Sequence, residues 1–219
     1  MTVTRNARSS VLRPALMATV VASLATLAAC SAPPDRPSPL ANAVANAGAA
    51  QRADSDMKAV LDAYSNLDPK AIEKISVSEA RAQPTIADAV NAVLRQQGRS
   101  TDPATLVPGV TSRDTTIPGP AGPLPARVFT PSGAGPFPVI TYFHGGGWVI
   151  ADKQVYDAGA RGIAKQANAI VVSVGYRRSP EVKFPAAWDD ALAAYRWVSQ
   201  NAGTLNGDPQ RLALAGESA

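Results

Sequence analysis

The 219 residues are 46% hydrophobic and 17% charged, with 16 Gly and 19 Pro, which excludes a wholly disordered chain and leaves ample material for one core. A single cysteine rules out an intramolecular disulfide, and with a single histidine it cannot build a Cys/His zinc site, so no metal or other cofactor is expected. The net charge of +4 does not mark a nucleic-acid surface, because Arg5, Arg8 and Arg13 stand without an acid before residue 30 and the other 18 basic residues face 17 acidic ones.

Residues 1–29 read as a secretory signal: a basic segment ending at Arg13, then an apolar stretch from Ala15 to Ala29 too short to span a bilayer. The stretch closes on Leu27-Ala28-Ala29-Cys30, which resembles a bacterial lipobox. That resemblance implies lipidation of Cys30, export to the bacterial cell envelope, and a membrane partner reached through the anchor. An ordinary cleaved signal with an incidental cysteine is the plainer alternative. Residues 30–50 then form a tether, with Pro33, Pro34, Pro37 and Pro39 and too little apolar surface to fold.

Residues 51–108 read as helical. Met57, Val60, Leu61 and Tyr64 recur at helical spacing behind Asp54 or Ser55 as N-cap. Ile86, Ala89, Val90, Val93 and Leu94 repeat the pattern after Thr85 with Asp88 three residues on, and Gly98 closes it. A short helical stretch around Ser76 to Arg81 joins them. Periodicity alone makes these core helices as readily as a cap.

From 109 the pattern becomes β. Val110–Ile117 and Leu124–Phe129 flank a Pro/Gly turn and predict an antiparallel pair. Phe137–Phe143 predicts a buried strand, Lys153–Ala167 a helix, and Ala169–Val174 a second buried strand. A helix over Ala186–Asn201 follows, entered at Pro185 and left at Gly203, with Trp188, Leu192, Tyr195 and Val198 on one face. Arg211–Ala215 is the next strand. Apolar strands alternating with helices imply a parallel sheet covered on both faces.

Two turns carry chemistry. His144-Gly145-Gly146-Gly147-Trp148 follows a strand directly, and successive glycines let backbone N–H groups converge on an anion. It is either an oxyanion loop or a plain glycine turn. Gly216-Glu217-Ser218-Ala219 follows the last strand and matches the first four positions of G-x-S-x-G, the strand-to-helix turn that lifts a serine above a sheet. Both turns leave carboxyl ends of strands, the edge where doubly wound sheets bind ligands. Asp189 and Asp190 sit in a helix's first turn and read as structural.

With Pro138–Trp148, Tyr176–Glu181, Phe184–Ala187 and Asp208–Ala219 in this order, the chain resembles the hormone-sensitive-lipase-like branch of the α/β-hydrolases from about Asp54 onward. The resemblance implies an α/β fold with a mostly parallel sheet, helices on both faces and an N-terminal helical cap region. It implies a carboxylic-ester hydrolase acting on small-molecule esters. Ser218 would be the nucleophile, the N–H groups of Gly145, Gly146 and Ala219 the oxyanion hole, and His144 and Gly147 members of the loop motif. Gly175, Arg178 and Ser179 depart from the family's Asp and Leu-Ala at these positions.

In this family the acid and histidine follow the serine. The chain is therefore expected to be the N-terminal part of an esterase, its hydrolase domain (109–219) incomplete after the nucleophile strand, and without turnover by itself. A membrane-tethered binding protein on the same scaffold is the alternative. A dinucleotide-binding domain is disfavoured because no G-x-G-x-x-G follows a strand.

Overall fold

A computed structural model describes residues 52–218. The expected signal peptide, Cys30, the whole tether and Ala219 lie outside the described residues.

Four short helices come first: α1 (Ser55–Asn66), α2 (Val77–Ala82), α3 (Ile86–Gln96) and α4 (Pro103–Leu106), with a 3-10 turn at Ile72–Lys74. Their starts follow from side chains that satisfy the orphan amides of a first turn. Asp54 accepts from Met57, and reciprocal capping boxes pair Ser76 with Glu79 and Thr85 with Asp88. The apolar faces of α1 and α3 are only partly buried, with Ala89 and Leu94 sealed and Met57, Ile86 and Val90 exposed.

The remaining elements are β1 (Val110–Gly119), β2 (Gly122–Pro131), β3 (Phe137–Phe143), α5 (Asp157–Ala167), β4 (Ile170–Val174), α6 (Ala186–Asn201), a 3-10 turn (Ala202–Leu205) and β5 (Gly207–Gly216). The sheet runs β1-β2-β4-β3-β5. It is mixed: β1–β2 and β2–β4 pair antiparallel, while β3 pairs parallel with β4 and with β5. Strand order reverses at β3, which has β4 on one side and β5 on the other. The register brings Phe143 level with Val174 on one flank and Gly216 on the other. The residues that follow all three strands consequently leave the same edge at the same height.

Each face of the sheet has its own core. α5 lays Ala160 and Ala164 against Val110, Phe129, Tyr142 and Val171. α6 lays Ala194 and Val198 against Ile117, Leu124, Val139, Ile170, Val172 and Val174. Small residues on both helices allow close approach to the β-branched strands, and burying each such strand side chain contributes about 1.5–3 kcal/mol.

Two expectations change. The helix read from Lys153 begins at Asp157, because Asp152 holds the Gln154 and Val155 amides in a turn and Lys153 is drawn to Asp114 at 2.9 Å. α6 is also rotated relative to its sequence pattern. Trp188 is 64% exposed and Leu192 is exposed, while Asp190 is fully buried. A carboxylate leaves water only when paired, and Asp190 receives the Arg177 amide at 2.9 Å and the Arg177 guanidinium at 2.7 Å. That pairing turns Asp190, Ala194 and Val198 inward. Asp190 is thus structural through an ion pair and not through the helix dipole.

A second polar network fixes α5 to the hairpin. Arg127 on β2 bridges Asp114 on β1 (2.8 Å) and Asp157 at the start of α5 (2.6 Å). Arg127 and then Lys153 hold the Asp114 carboxyl far below its usual range. Arg161 donates to the Val110 carbonyl and the Ser112 hydroxyl and lies 5.3 Å over the Phe129 ring.

Replacing Asp190 with Ala strands the Arg177 amide and guanidinium. The guanidinium keeps some solvent, so the loss in a urea titration is expected at about 2–4 kcal/mol, with Asp190→Asn losing less.

Candidate active site

The sheet edge beyond Phe143 is shaped by what cannot fit there. A Cβ on Gly145 would stand 2.8 Å from both the Glu217 and the Ser218 carbonyl oxygens, so only glycine lets the loop lie against the 217–218 peptide. Gly146 takes φ +130°, and a Cβ there would collide with the Ile150 carbonyl. The Gly146 carbonyl accepts from Val149 (3.0 Å) and Ile150 (2.9 Å), which closes the loop on itself. Gly147 and Trp148 both take φ +57°.

On the β5 side the Glu217 amide donates to the Phe143 carbonyl at 3.3 Å, and Tyr142 Oη donates to Glu217 Oε1 at 2.6 Å. Burial foremost, with Glu217 adding to it, pushes the Tyr142 phenol well above its ordinary value. Ser218 takes φ +22°, a conformation L-residues adopt rarely and which marks tight functional turns. It borders two cavities. One, of about 290 Å³, is walled by Phe143, His144, Trp148, Tyr176 and Trp188. The other, of about 530 Å³, lies between Gly146, Ile150 and Tyr156 on one side and Ile72, Ile75 and Val77 of the N-terminal segment on the other.

His144 is buried behind this edge. Its ring stacks on Tyr176 at 4.3 Å, Tyr176 Oη donates to the His144 carbonyl at 2.7 Å, and Nδ1 lies 2.9 Å from the Gly145 carbonyl. A carbonyl only accepts, so the Nδ1 contact assigns a proton to that nitrogen. Burial pushes His144 below its ordinary value of 6.5; the Arg178 charge acts in the same direction, while the Gly145 carbonyl opposes both. His144 is therefore held against the loop on both its ring and its backbone, and burial leaves it a weaker base than a free imidazole.

Arg81, on α2, reaches across to the same loop. Its Nε donates to the Val149 carbonyl (2.7 Å), one terminal nitrogen to the Ser179 carbonyl (2.8 Å), and both terminal nitrogens to Glu181 at 2.6 and 2.9 Å. Ser179 in turn donates its amide to the Trp148 carbonyl at 2.8 Å, and Arg178 donates to the Ala151 carbonyl.

The residues singled out from sequence gather accordingly. Gly145, Gly146, Gly147, His144 and Ser218 stand at one edge, whereas Ala219 and Cys30 lie outside the described residues. Arg81 and Tyr156 were not legible: each reaches the site only through the fold, and neither belongs to a local motif. Among the described residues no three His, Cys, Asp or Glu side chains gather as metal ligands.

Residues 140–219 match a family described as alpha/beta hydrolase fold. The chain is 42% identical over 138 residues to the carboxylesterase NlhH of Mycobacterium tuberculosis, covering 62% of this chain and 43% of that protein. It is 46% identical over 89 residues to the gibberellin receptor GID1 of Oryza sativa, covering 39% of this chain and 25% of the receptor. Among solved structures, the Pyrobaculum calidifontis esterase superposes with a TM-score of 0.58 at 34% identity, over 71% of this chain and 48% of that one. The chain spans less than half the length of these relatives. Sheet and matches together define an α/β-hydrolase fold.

Two outcomes follow from the loop. Gly146→Ala meets both a backbone carbonyl and a φ closed to L-residues and is expected to cost at least about 3 kcal/mol in chemical denaturation, whereas Gly147→Ala, with open space around it, costs about 1 kcal/mol. For His144 the folded state binds its proton less readily than the unfolded chain. Its contribution to stability is complete above pH 6.5 and is lost as the pH falls from there toward the lowered folded value. Thermal melts from pH 7.5 to 5 should show that decline, and His144→Gln should flatten it.

Proposed function

We propose that this chain carries the nucleophile half of a carboxylic-ester hydrolase for small-molecule esters. The observation that carries the reading is the packing of Gly145 directly on the 217–218 peptide, which sets an amide-rich loop beside a serine in a strained turn. In this reading Ser218 Oγ attacks the ester carbonyl carbon and the alkoxide leaves. The N–H groups of Gly145, Gly146 and Ala219 hold the charge that develops on oxygen, and water then hydrolyses the acyl-serine. Removing one such donor typically costs about 100- to 1000-fold in rate. His144 and Gly147 keep the loop in shape.

The attack also needs a proton acceptor. His144 is the one histidine of the sequence, and burial beside Tyr176 and Arg178 unfits it for the task. We therefore expect the 219 residues alone to act only at the residual level that an anion site and binding supply, about 10³–10⁴-fold over water. Incubation with an alkyl fluorophosphonate over hours should phosphonylate Ser218, read by peptide mass spectrometry, and leave Ser218→Ala untouched. Release of p-nitrophenol from p-nitrophenyl butyrate should stay near the Ser218→Ala background. Adducts spread over other serines would remove Ser218 from the mechanism, and brisk Ser218-dependent turnover would mean that a base is present after all.

A non-catalytic binding protein is the second reading, favoured by the match to a receptor. It predicts ligand binding that survives Ser218→Ala with no phosphonylation at all.

For location we propose export and attachment to a membrane through lipid on Cys30, resting on the basic-apolar leader and the cysteine that closes it. In a bacterial host the mature N-terminal peptide should begin at Cys30 with an acylated mass, and Cys30→Ala should move the protein from the membrane to the soluble envelope fraction. An unacylated N-terminus would exclude the anchor.

A further inference from the structure

Tyr156 stands where the glycine loop, the serine turn and the N-terminal segment meet. Its hydroxyl lies 2.9 Å from the place a Cβ on Gly145 would occupy, the place that is also 2.8 Å from the Ser218 carbonyl oxygen. Its ring lies 6.0 Å from that of His144. It lines the cavity it shares with Gly146 and Ser218, and a wider one that reaches α3. Unlike the hydroxyls of Tyr142 and Tyr176, which donate to Glu217 and to the His144 carbonyl, the Tyr156 hydroxyl has no acceptor among the described residues. Burial, with the Glu217 carboxylate adding to it, holds the phenol above its ordinary value, so it remains a protonated donor through the neutral range.

Its position is fixed by the elements beneath it. The Tyr156 amide donates to the Asp152 carbonyl, and the Tyr156 carbonyl accepts from Ala160 in the first turn of α5. Asp157, the next residue, is anchored by Arg127. A polar group so held, with no partner among the described residues, at the mouth of an apolar cavity is an orienting donor for whatever fills that cavity.

We infer that Tyr156 is a substrate-contacting residue of this site, its hydroxyl donating a hydrogen bond to the acyl oxygen of the bound ester and to a carboxylate oxygen of the acid released from it. The inference rests on the ester-hydrolase reading for the identity of the ligand and on the place of the hydroxyl, beside Gly145 and in the cavity that Ser218 borders, for the contact. It adds a side-chain donor to the backbone donors of the loop. The apolar walls given by Ile72, Ile75 and Val77 accommodate an aliphatic acyl chain beyond that oxygen.

Butyrate is a suitable probe, since its binding requires no turnover. The full chain labelled with ¹³Cζ-tyrosine is titrated with butyrate and followed by NMR, the Tyr156 resonance being the one absent from Tyr156→Phe. Binding should shift that resonance, and Tyr156→Phe should raise the dissociation constant about 10-fold, the effect of one hydrogen bond to a charged acceptor. Loss of the same size in Tyr156→Leu would tie it to the hydroxyl and not to the ring. Equal affinity in wild type and Tyr156→Phe overturns the inference, and so does a wild type that binds no butyrate, or a shift confined to the other tyrosines. Phosphonylation of Ser218 is scored separately: a chain without it whose butyrate affinity still depends on Tyr156 has lost the hydrolase reading and kept this one.

Discussion

The contact on which the site depends is a missing atom. Gly145 has no Cβ, so its backbone rests on the peptide joining Glu217 and Ser218, and two turns more than 70 residues apart in the chain occupy one small volume. The sheet makes the encounter possible by ending β3, β4 and β5 at one level, with β3 between the other two. Glycine makes it close. The same economy explains Gly146, whose φ and neighbouring carbonyl leave no room for a side chain, and the permissive Gly147, which needs only the backbone freedom.

Around that contact the protein spends charge sparingly and in pairs. Asp190 lies fully buried because Arg177 covers it with an amide and a guanidinium, and that pairing selects the face α6 presents to the sheet. Arg127 gathers Asp114 and Asp157, drawing the hairpin to the start of α5 and thereby setting the residue just before it, Tyr156. The histidine of the loop is treated differently. It is stacked, buried and weakened as a base, which suits a residue whose backbone carbonyl takes the Tyr176 hydroxyl.

How far the sequence could be read depended on whether a feature was local. The capping box of Thr85 and Asp88, the hairpin around Pro120, the span of α6 and the two turns after β3 and β5 all announce themselves within a few residues, and the structure has them there. The rotation of α6 was misread, since Trp188 and Leu192 outweigh Asp190 on any hydrophobic pattern while the buried ion pair that reverses the choice comes from another loop. The Pro/Gly turn makes the antiparallel β1–β2 pair legible, whereas the antiparallel β2–β4 pairing has no such signal, because apolar runs look alike in both directions. Arg81 showed no signal at all: its acceptors lie 68 to 100 positions downstream, and nothing in its neighbourhood differs from an ordinary surface arginine in a last helical turn.

That distance has its own consequence. A backbone loop whose shape is held from so far away cannot reach its final geometry by local folding, because closing a long segment costs entropy before any bond is made. The glycine loop should be among the last parts of the molecule to become rigid, after the hairpin and both layers of helix are in place. The tip between β1 and β2 shares a pocket with Arg81 and Glu181, so residues added there, though they cost little entropy, would bear directly on the hold of Arg81 on Val149.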